Sequence, residues 1–275
     1  MGVFGFGNKK KQQREERIEE MRIQIEKDSM QIKERLLALK VGDELNFGQY
    51  YYDDYVYKDI SWKVLDINYE GEILVITNYG IEVMPQRSTL GKGGWFYSDI
   101  RIWLNDNFFY SSFNNAEKSF IVEKNIECKK NSIYYTKGGV SIASKLFLLD
   151  VDEVLQYFCN GYIPEMYDDI EKMKMNGKFS EARELENASR RLTGTSKLYC
   201  YDLSEKKSTI CFPIPYALEK KCFHDDKNAG IWWLRTPGAH KLFSVCVLPN
   251  GDIRMYGMIN DGKGVLVRPA MWLHR

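Results

Sequence analysis

Residues that could carry catalytic or metal chemistry are few in this sequence. Histidine occurs three times, at His224, His240 and His274. The densest group of metal-capable side chains is the segment 222–226, which reads Cys-Phe-His-Asp-Asp. A zinc site needs a second pair of ligands at a recognisable spacing, and none lies near this segment in the sequence. We therefore expect no metal or other cofactor and interpret 222–226 as a solvated loop.

Nucleophilic and phosphate-binding patterns are equally weak. A catalytic cysteine needs a base within reach, but Cys246 lies between two valines, where a cysteine usually acts as a small core hydrophobe. The Gly-rich segment 91–94 lacks the G-K-[ST] ending of a phosphate-binding loop. The sequence therefore favours a protein without catalytic activity. The alternative, which stays open, is an enzyme centred on Cys222, His224, Asp225 and Cys246.

Aromatic side chains offer a different kind of site. The segment 50–57 contains five tyrosines, too many for the single buried face of a strand. Tyrosine combines a large rigid contact area with a polar tip, and binding surfaces favour it for that reason. The alternative is that these rings pack along strands with their hydroxyls in water. The candidate ligand-binding residues are Tyr51, Tyr52, Tyr55, Trp95, Tyr97, Tyr135 and Arg235.

The overall charge and cysteine usage narrow the partners and the compartment. The formal net charge of +1 gives no field to attract nucleic acid, and no stretch approaches the ~18 apolar residues of a membrane span. The six cysteines are scattered without a C-x-x-C pair, and the N-terminus lacks the apolar run of a signal peptide. We expect reduced thiols, a cytoplasmic location, no nucleic-acid partner and no membrane span.

The N-terminal part predicts a helical arm behind a short leader. Residues 1–8 are rich in Gly and Phe, which indicates a disordered leader. Residues 9–40 contain no Pro or Gly and consist largely of strong helix formers. An apolar seam repeats every seven residues, so this helix should pack on the domain or associate weakly with a second copy. The seam consists of Ile18, Ile25, Ile32, Leu39 and Met21, and charged residues interrupt it at Asp28 and Arg35.

Residues 41–275 show the pattern of an α+β domain. Two apolar runs separated by a Gly-containing turn predict a β-hairpin over 62–77. A second hairpin is predicted over 243–258 around an Asn-Gly turn. Residues 165–193 are charged, helix-prone and low in large apolar side chains. We interpret the stretch 165–205 as a helical insertion on the surface.

Helix starts in this domain are marked by capping residues. Ser98 predicts the start of a helix that includes Ile102 among its buried residues, and Asn115 predicts the start of a second, short helix. Asp150 with Glu153 three residues later is a capping-box pattern, which predicts a helix immediately after Asp150.

Two strings near the C-terminus carry a resemblance to a known family. Residues 232–238 read Trp-Trp-Leu-Arg-Thr-Pro-Gly, and residues 264–273 read Gly-Val-Leu-Val-Arg-Pro-Ala-Met-Trp-Leu. They resemble the C-terminal signature of a bacterial family of domains of unknown function, whose members end in WWLRSPG and GVRPALW. Shorter matches extend the resemblance over residues 41–275 and leave out the helical arm and the insertion.

The order of these strings is also similar, more distantly, to the C-type-lectin-like fold in its formylglycine-generating-enzyme and retroelement-diversified branches. This resemblance implies an α+β mixed fold, with two helices flanking a twisted antiparallel sheet whose N- and C-terminal strands pair. Formylglycine-generating enzymes depend on C-terminal cysteines, but neither Cys222 nor Cys246 matches a family motif. Their activity is therefore not transferred to this chain.

The signature residues are interpreted as structural. The tryptophans would fill core, the Pro-Gly pair would turn the chain, and the two arginines would bridge carboxylates or carbonyls beneath the surface. The alternative places Arg235 and Thr236 in a ligand pocket. The signature residues are Trp232, Trp233, Arg235, Pro237, Gly238, Arg268, Pro269 and Trp272.

These observations together predict a non-catalytic binding module, bacterial or phage-derived, that recognises a protein or a glycan through Tyr-rich loops. Two alternatives remain open. One is a cysteine- or metal-dependent enzyme of the formylglycine-generating type. The other is a scaffold that oligomerises through the N-terminal helix.

Overall fold

A computed structural model describes residues 4–53, 56–89, 93–158, 176–180, 197–198 and 209–275, with side chains from residue 11 onward except at 197–198. The fold mixes helix and sheet and contains a curled antiparallel half-barrel sheet preceded by a long N-terminal helix. In this part of the chain the α-helices are α1 (Phe4–Ala38), α2 (Asp99–Trp103, continued by a π-helical turn at Leu104–Phe108 and by Phe109–Ser112), α3 (Asn115–Lys118), α4 (Val151–Phe158) and α5 (Pro215–Glu219), and a short 3₁₀ helix at Trp95–Tyr97 precedes α2.

Most strands are short, and the longest two form the first hairpin of the domain. The strands are β1 (Glu44–Asp53), β2 (Val56–Ile67), β3 (Ile73–Thr77), β4 (Tyr79–Gly80), β5 (Glu82–Val83), β6 (Ile121–Val122), β7 (Lys124–Ile126), β8 (Ile142–Ser144), β9 (Leu146–Phe147), β10 (Lys197–Leu198), β11 (Phe212–Pro213), β12 (Trp232–Pro237), β13 (Phe243–Val247), β14 (Ile253–Ile259), β15 (Leu266–Val267) and β16 (Ala270–Leu273).

The antiparallel sheet is built around the last strand of the chain. Its order is β1-β2-β3-β16, and β6 and β9 both pair with the far edge of β16. Ala270 of β16 lies opposite Ile76 of β3 on one side and opposite Phe147 of β9 on the other. The N- and C-terminal strands were expected to pair. They share a sheet, but β2 and β3 lie between them because the β2–β3 hairpin supplies the edge that β16 meets.

The mixed sheet has the order β10-β14-β13-β12-β15-β5. Strands β13 and β14 form the second predicted hairpin, which is therefore confirmed, and β12 pairs in parallel with β15 through Trp232 and Leu266. All six residues of β12 are buried. The strand that carries the first signature string is therefore a core strand of this sheet. Two small pairs, β4 with β11 and β7 with β8, complete the strands.

Helix α1 is attached to the domain near its C-terminal end. Ile32 and Leu36 are buried in the core, and the Arg35 guanidinium donates a 2.8 Å hydrogen bond to the carbonyl of Asn46. The helix begins at Phe4, inside the stretch expected to be a leader, because glycine weakens a helix by only ~1 kcal/mol per residue and does not block it. Residues 1–3 lie outside the described residues. None of the described helices has the length and apolarity of a membrane span.

Helix α2 packs one face against the sheets. Ser98 caps its start by accepting a hydrogen bond from the backbone N–H of Arg101, as the sequence predicts. Ile100 and Leu104 are buried, whereas Ile102 is exposed, so the expectation that Ile102 is buried is wrong. Two residues correspond to about 200° around a helix, and Ile102 therefore lies on the face opposite Ile100 and Leu104.

Two capping boxes fix the short helices that follow. Asn114 and Glu117 exchange side-chain-to-backbone hydrogen bonds at the start of α3. Asp150 and Glu153 do the same at the start of α4, which confirms the predicted capping box. The predicted insertion over 165–205 lies outside the described residues, apart from 176–180 and from 197–198 in strand β10.

Gly48 shapes β1 at the point where the strand passes the end of α2. Its φ of +72° is in the left-handed region, and a Cβ built there would lie 2.6 Å from the ring of Phe113. Its backbone N–H donates a 2.8 Å hydrogen bond to Glu117. Strand β1 therefore approaches the α2–α3 corner closely, and it carries the tyrosines from there to the end of the hairpin.

We expect Gly48→Ala to lower the free energy of unfolding by about 1–3 kcal/mol more than Gly71→Ala does, as measured by equilibrium denaturation in urea. Gly71 is a matched control because its φ is +83° and nothing lies within 4 Å of its added Cβ. Both substitutions strain the backbone, but one of them also meets the Phe113 ring. Equal losses would show that the close approach at Gly48 is unimportant.

Candidate ligand-binding cleft

The tyrosine-rich hairpin forms one wall of a cleft. The cleft has a volume of about 140 Å³ and lies between the hairpin β1–β2, strand β4, the β4–β5 junction and the segment that enters α5. Its lining residues are Tyr50, Tyr51, Tyr52, Lys58, Asp59, Ile60, Ser61, Tyr79, Ile81 and Ile214. The structure therefore brings Tyr51 and Tyr52, two of the candidate binding residues, to a common concave surface.

Strand pairing explains why these distant residues meet. In the β1–β2 hairpin Tyr50 lies opposite Lys58 and Tyr51 lies opposite Tyr57, with an irregularity between Tyr51 and Asp53. The opposite wall depends on the parallel pairing of β4 with β11, which sets Tyr79 beside Phe212. A hydrogen bond from the backbone N–H of Ile214 to the carbonyl of Gly80 continues this pairing to the start of α5.

The tyrosine wall is stiffened by ring contacts. Tyr51 stacks on Tyr216 of α5, with ring centroids 5.6 Å apart and planes at 28°. The ring of Tyr57 lies 4.3 Å from that of Tyr51, and Tyr50 meets Tyr216 edge to face at 6.0 Å. Aromatic pairs of this kind add about 0.5–1.5 kcal/mol each beyond the area that they bury. The wall is therefore a packed surface rather than a set of independent side chains.

The buried carboxylate of Glu82 anchors the tyrosine wall on the side away from the cleft. The Tyr50 hydroxyl donates a 2.9 Å hydrogen bond to Glu82, and the Lys220 ammonium donates a 2.7 Å bond to the other oxygen of Glu82. Burial and the neighbouring Glu82 carboxylate raise the pKa of Tyr50. Burial lowers the pKa of Lys220, but its interactions with Glu82 and Tyr216 together raise it by more. Tyr50 therefore stays protonated and Lys220 stays charged, so both continue to donate to Glu82.

The mouth of the cleft carries two charged side chains, the ammonium of Lys58 and the carboxylate of Asp59. The Lys58 ammonium lies 3.8 Å from the centroid of the Tyr52 ring, which is a close cation–π contact. No ion pair to Lys58 is formed by the residues that the structure describes, so its N–H groups can face a ligand. Asp59 accepts a hydrogen bond from Gln49, and the Ser61 hydroxyl accepts one from Asn78.

Exposed aromatic rings extend the surface beyond the cleft. Tyr57, Tyr79 and Phe212 are all large apolar side chains left exposed, and Tyr79 lines the cleft directly. Singly exposed rings are ordinary, but contiguous aromatic surface around a concave site is typical of a binding site. The cleft and its rim therefore form the strongest candidate interface in the described part of the chain.

The other candidate aromatic residues lie away from this cleft. Trp95 is buried and its indole N–H finds no acceptor among the described residues, while the Tyr97 ring lies 5.6 Å from the Arg87 guanidinium. Tyr135 adopts a φ of +59°, and its ring lies 5.1 Å from the Lys130 ammonium. None of these three lines the cleft. Tyr55 lies outside the described residues.

The Gly-rich segment near Trp95 is explained by close packing. A Cβ on Gly93 would lie 1.7 Å from the carbonyl oxygen of Lys241, and one on Gly94 would lie 2.8 Å from that of Gly138. Glycine is needed here because backbone approaches backbone. Gly91 and Lys92 of the same segment lie outside the described residues.

Arg235 is the centre of a buried ionic cluster. Its guanidinium donates to Asp150 at 2.8 Å, to both oxygens of Glu153, and to the carbonyls of Glu127 and Leu148. These contacts use all five N–H donors of an arginine. Burial alone would lower the pKa of Arg235, but the Glu153 and Asp150 carboxylates raise it by more. Arg235 is 5% exposed and has no donor left for a ligand, which favours its structural role.

Thr236 and Arg268 are also occupied within the protein. The Thr236 hydroxyl accepts a 3.0 Å hydrogen bond from the backbone N–H of Val151 at the start of α4. The Arg268 guanidinium lies 5.0 Å from the Trp232 ring and 5.4 Å from that of Phe158, and its Nε donates to the carbonyl of Thr77. Both residues therefore connect β-strands to their neighbours.

The remaining signature residues make comparable contacts. The indole N–H groups of Trp232 and Trp233 donate to the carbonyls of Thr209 and Met84, and both rings are fully buried. A Cβ on Gly238 would lie 2.4 Å from the carbonyl oxygen of Tyr256. The Pro237 carbonyl accepts a hydrogen bond from the Asn131 side-chain amide, and the Pro269 carbonyl accepts one from the backbone N–H of Thr77. In the antiparallel sheet Trp272 lies opposite Leu74 on one side and opposite Val122 on the other.

Several important cleft residues were missed in the sequence. Glu82, Lys220, Tyr216 and Ile214 had no pattern that linked them to the tyrosines. Glu82 carried one usable signal, since it is a lone carboxylate in a run that otherwise reads as a buried strand. A charge in such a position requires a partner, which here is Lys220.

The enzyme alternative finds little support in the described cysteines. Cys128, Cys211, Cys222 and Cys246 are free and buried. Burial raises the pKa of all four thiols, to about 11 at Cys211 and about 12 at Cys246. Reactive cysteines need a stabilised thiolate instead. Among the residues that the structure describes, no group of three or more His, Cys, Asp or Glu side chains could hold a metal ion.

We expect Arg235→Met to lower the free energy of unfolding by about 3–5 kcal/mol, because it leaves Asp150 buried without its counter-charge. Guanidinium denaturation followed by tryptophan fluorescence measures this loss. The matched control is Arg254→Met on an exposed position of β14, which should change stability by less than about 0.5 kcal/mol. A stable Arg235→Met protein that no longer binds its partner would place Arg235 in a ligand pocket instead.

We also expect the four described cysteines to resist alkylation by iodoacetamide at pH 9 in the folded protein, with the modified residues mapped by mass spectrometry. A free thiol, with a pKa of about 8.5, is mostly ionised at that pH. Because the folded state raises these pKa values, their contribution to stability is present below about pH 8.5 and is lost as the pH rises through the folded values. The same reaction in denaturant should label all four. Rapid labelling of Cys222 or Cys246 in the folded protein would favour the enzyme alternative.

Comparison with known proteins identifies a family to which this chain is similar. Residues 70–275 match the family described as domain of unknown function DUF6273. No curated protein and no solved structure matches the chain. The match includes both signature strings but begins in the β2–β3 turn, so residues 41–69, which the sequence resemblance included, fall outside it. Since the family match covers most of the chain, the chain belongs to the DUF6273 family of domains of unknown function.

Proposed function

We propose that this protein is a non-catalytic binding module, and that the tyrosine-walled cleft receives one apolar side chain of a protein partner. The observation that carries the proposal is the cleft itself, a preformed concave surface with a wall of tyrosines and an exposed lysine at its mouth. Binding energy at protein interfaces is concentrated in apolar or aromatic side chains that fill such pockets. The contacts among Tyr50, Tyr51 and Tyr216 keep the wall in place before a partner arrives.

The size of the cleft supports a single side chain as its occupant. Its volume of about 140 Å³ is close to that of an engineered protein cavity of about 150 Å³ that binds benzene. A Leu, Met or Phe side chain therefore fits the space. Lys58 at the mouth favours a carboxylate beside that side chain, so we expect an acidic residue close to the apolar one.

The lining favours a protein over a glycan. Sugars need several hydrogen-bonding partners around a stacking platform, but Ile60, Ile81 and Ile214 make much of this cleft aliphatic. The polar lining residues Asp59 and Ser61 are already bonded to Gln49 and Asn78.

The finer points of fold and location belong to the same proposal. The central position of β16 in a curled antiparallel sheet with helices beside it supports the likeness to the C-type-lectin-like fold. Four unpaired, buried cysteines support a cytoplasmic location, where thiols stay reduced. The resemblance of the signature strings supports a bacterial or phage origin.

Selection of a random peptide library displayed on phage against the full chain tests the proposal. The expected consensus contains one large apolar residue with Asp or Glu within a few positions. For the selected peptide, fluorescence polarisation should show affinity weakened about tenfold or more by Tyr52→Ala, since one buried contact of about 1.4 kcal/mol has that effect. Lys58→Glu should weaken acidic peptides and improve their basic counterparts.

Tyr69→Ala is the matched control for these variants. Tyr69 is 97% exposed in the β2–β3 turn, so its removal should leave the peptide affinity unchanged. A glycan array run in parallel distinguishes the other class of partner. Glycan binding that Tyr52→Ala abolishes, without any peptide binding, would replace the protein partner with a glycan. Peptide binding that survives both Tyr52→Ala and Lys58→Glu would overturn the assignment of the cleft.

A further inference from the structure

Helix α1 presents an apolar seam of which one half is covered and the other half is free. Ile32 and Leu36 pack into the core of the domain. The same seam continues toward the N-terminus through Ile25, Met21 and Ile18, which are 37%, 60% and 45% exposed. The free half is exposed because this part of the helix extends beyond the domain.

We propose that the free half of the seam is covered by the same segment of a second copy of this chain, running antiparallel. The seam is continuous with an interface that the helix already forms with its own domain, so a second helix can follow the same line. Residues 11–28 would overlap over about 27 Å, at 1.5 Å per residue. In the register that this requires, Ile18 of each copy packs against Met21 of the other.

Charge complementarity selects the antiparallel direction. In this register Lys11 of one helix lies beside Asp28 of the other, and Glu15 lies beside Arg22. Each pairing occurs twice by symmetry, and all are attractive. Among the residues that the structure describes, Lys11 and Arg22 pair with Glu15 and Glu19 on the same helix, at 3.9 and 3.8 Å on an exposed surface. Such exposed pairs contribute little and are readily exchanged.

A parallel pair would place like charges together. Lys11 would face Lys11, Asp28 would face Asp28, and Arg17 would lie beside Arg22. Like charges that flank a coiled-coil seam specify against that arrangement. Asp28, one of the two residues that interrupt the apolar seam in the sequence, therefore helps to fix the direction of pairing.

The apolar contact is small, so the dimer should be weak. Sedimentation equilibrium of the full chain should show a mass that rises from 32.2 kDa toward that of two chains as the concentration increases. Ile18→Glu should raise the dissociation constant about tenfold or more. Ile23→Glu is the matched control, because Ile23 is also 45% exposed but lies on the other side of the helix.

A charge exchange tests the direction and the register. Glu15→Arg should weaken the dimer, because it sets two arginines side by side at both ends of the contact. Adding Arg22→Glu to the same chain restores opposite charges and should restore the dissociation constant. Circular dichroism of each variant checks that α1 keeps its helicity.

Three results would overturn the proposal. The first is a single mass of one chain at all concentrations. The second is an equal effect of Ile18→Glu and Ile23→Glu. The third is a double charge exchange that fails to restore the association weakened by Glu15→Arg. The test is independent of the tyrosine cleft, because none of the substituted residues lies in it.

Discussion

The buried guanidinium of Arg235 is the interaction on which the arrangement of the domain depends. Removing a charge from water is costly unless every partner is in place. Its acceptors come from the loop at residue 127, the segment after β9 and the first turn of α4. These segments must therefore assemble around β12 together, and a partly formed cluster would leave charges buried without partners. We attribute the signature residues around Arg235 to this need for the surrounding segments to assemble together.

The cleft follows the same principle on a smaller scale. Glu82 is buried and fixed by Tyr50 and Lys220, so the wall of tyrosines is anchored by a satisfied carboxylate rather than by packing alone. The cleft also lies across the boundary of the family match. Tyr79, Ile81 and Ile214 belong to the matched residues 70–275, whereas the hairpin residues 50–61 precede them. One wall is thus part of the family domain, and the other is supplied by the segment before it.

Features that depend on neighbours in the chain could be predicted from the sequence. The two hairpins, the Ser98 cap and the capping box at Asp150 were predicted correctly because each is decided within a few residues. Ile102 was assigned wrongly because apolar character was counted without regard to which face of the helix it occupies. The tyrosine cluster pointed to Tyr51 and Tyr52, but not to the far wall of their cleft.

That far wall depends on long-range pairing. Glu82 and Lys220 are 138 residues apart, and Tyr79 reaches Phe212 through a parallel pair of two-residue strands. Strands this short have no periodicity from which to predict them. The positions of Trp95, Tyr97 and Tyr135 away from the cleft were likewise decided by tertiary packing. The sequence showed that these residues are aromatic and that they lie in loops, but it did not show against which part of the domain each loop packs.

The central position of β16 has a consequence for biosynthesis. Strands β3, β6 and β9 all pair with residues 270–273, so each has an open edge until that segment has left the ribosome. The antiparallel sheet cannot close during translation of the preceding residues, and its closure brings together positions about 200 residues apart. Non-local pairing of this kind slows folding. Until residues 270–273 are made, the nascent chain therefore carries a strongly apolar strand at 73–77 that is paired with β2 on one edge and open on the other, which makes this open edge a natural point of contact for chaperones.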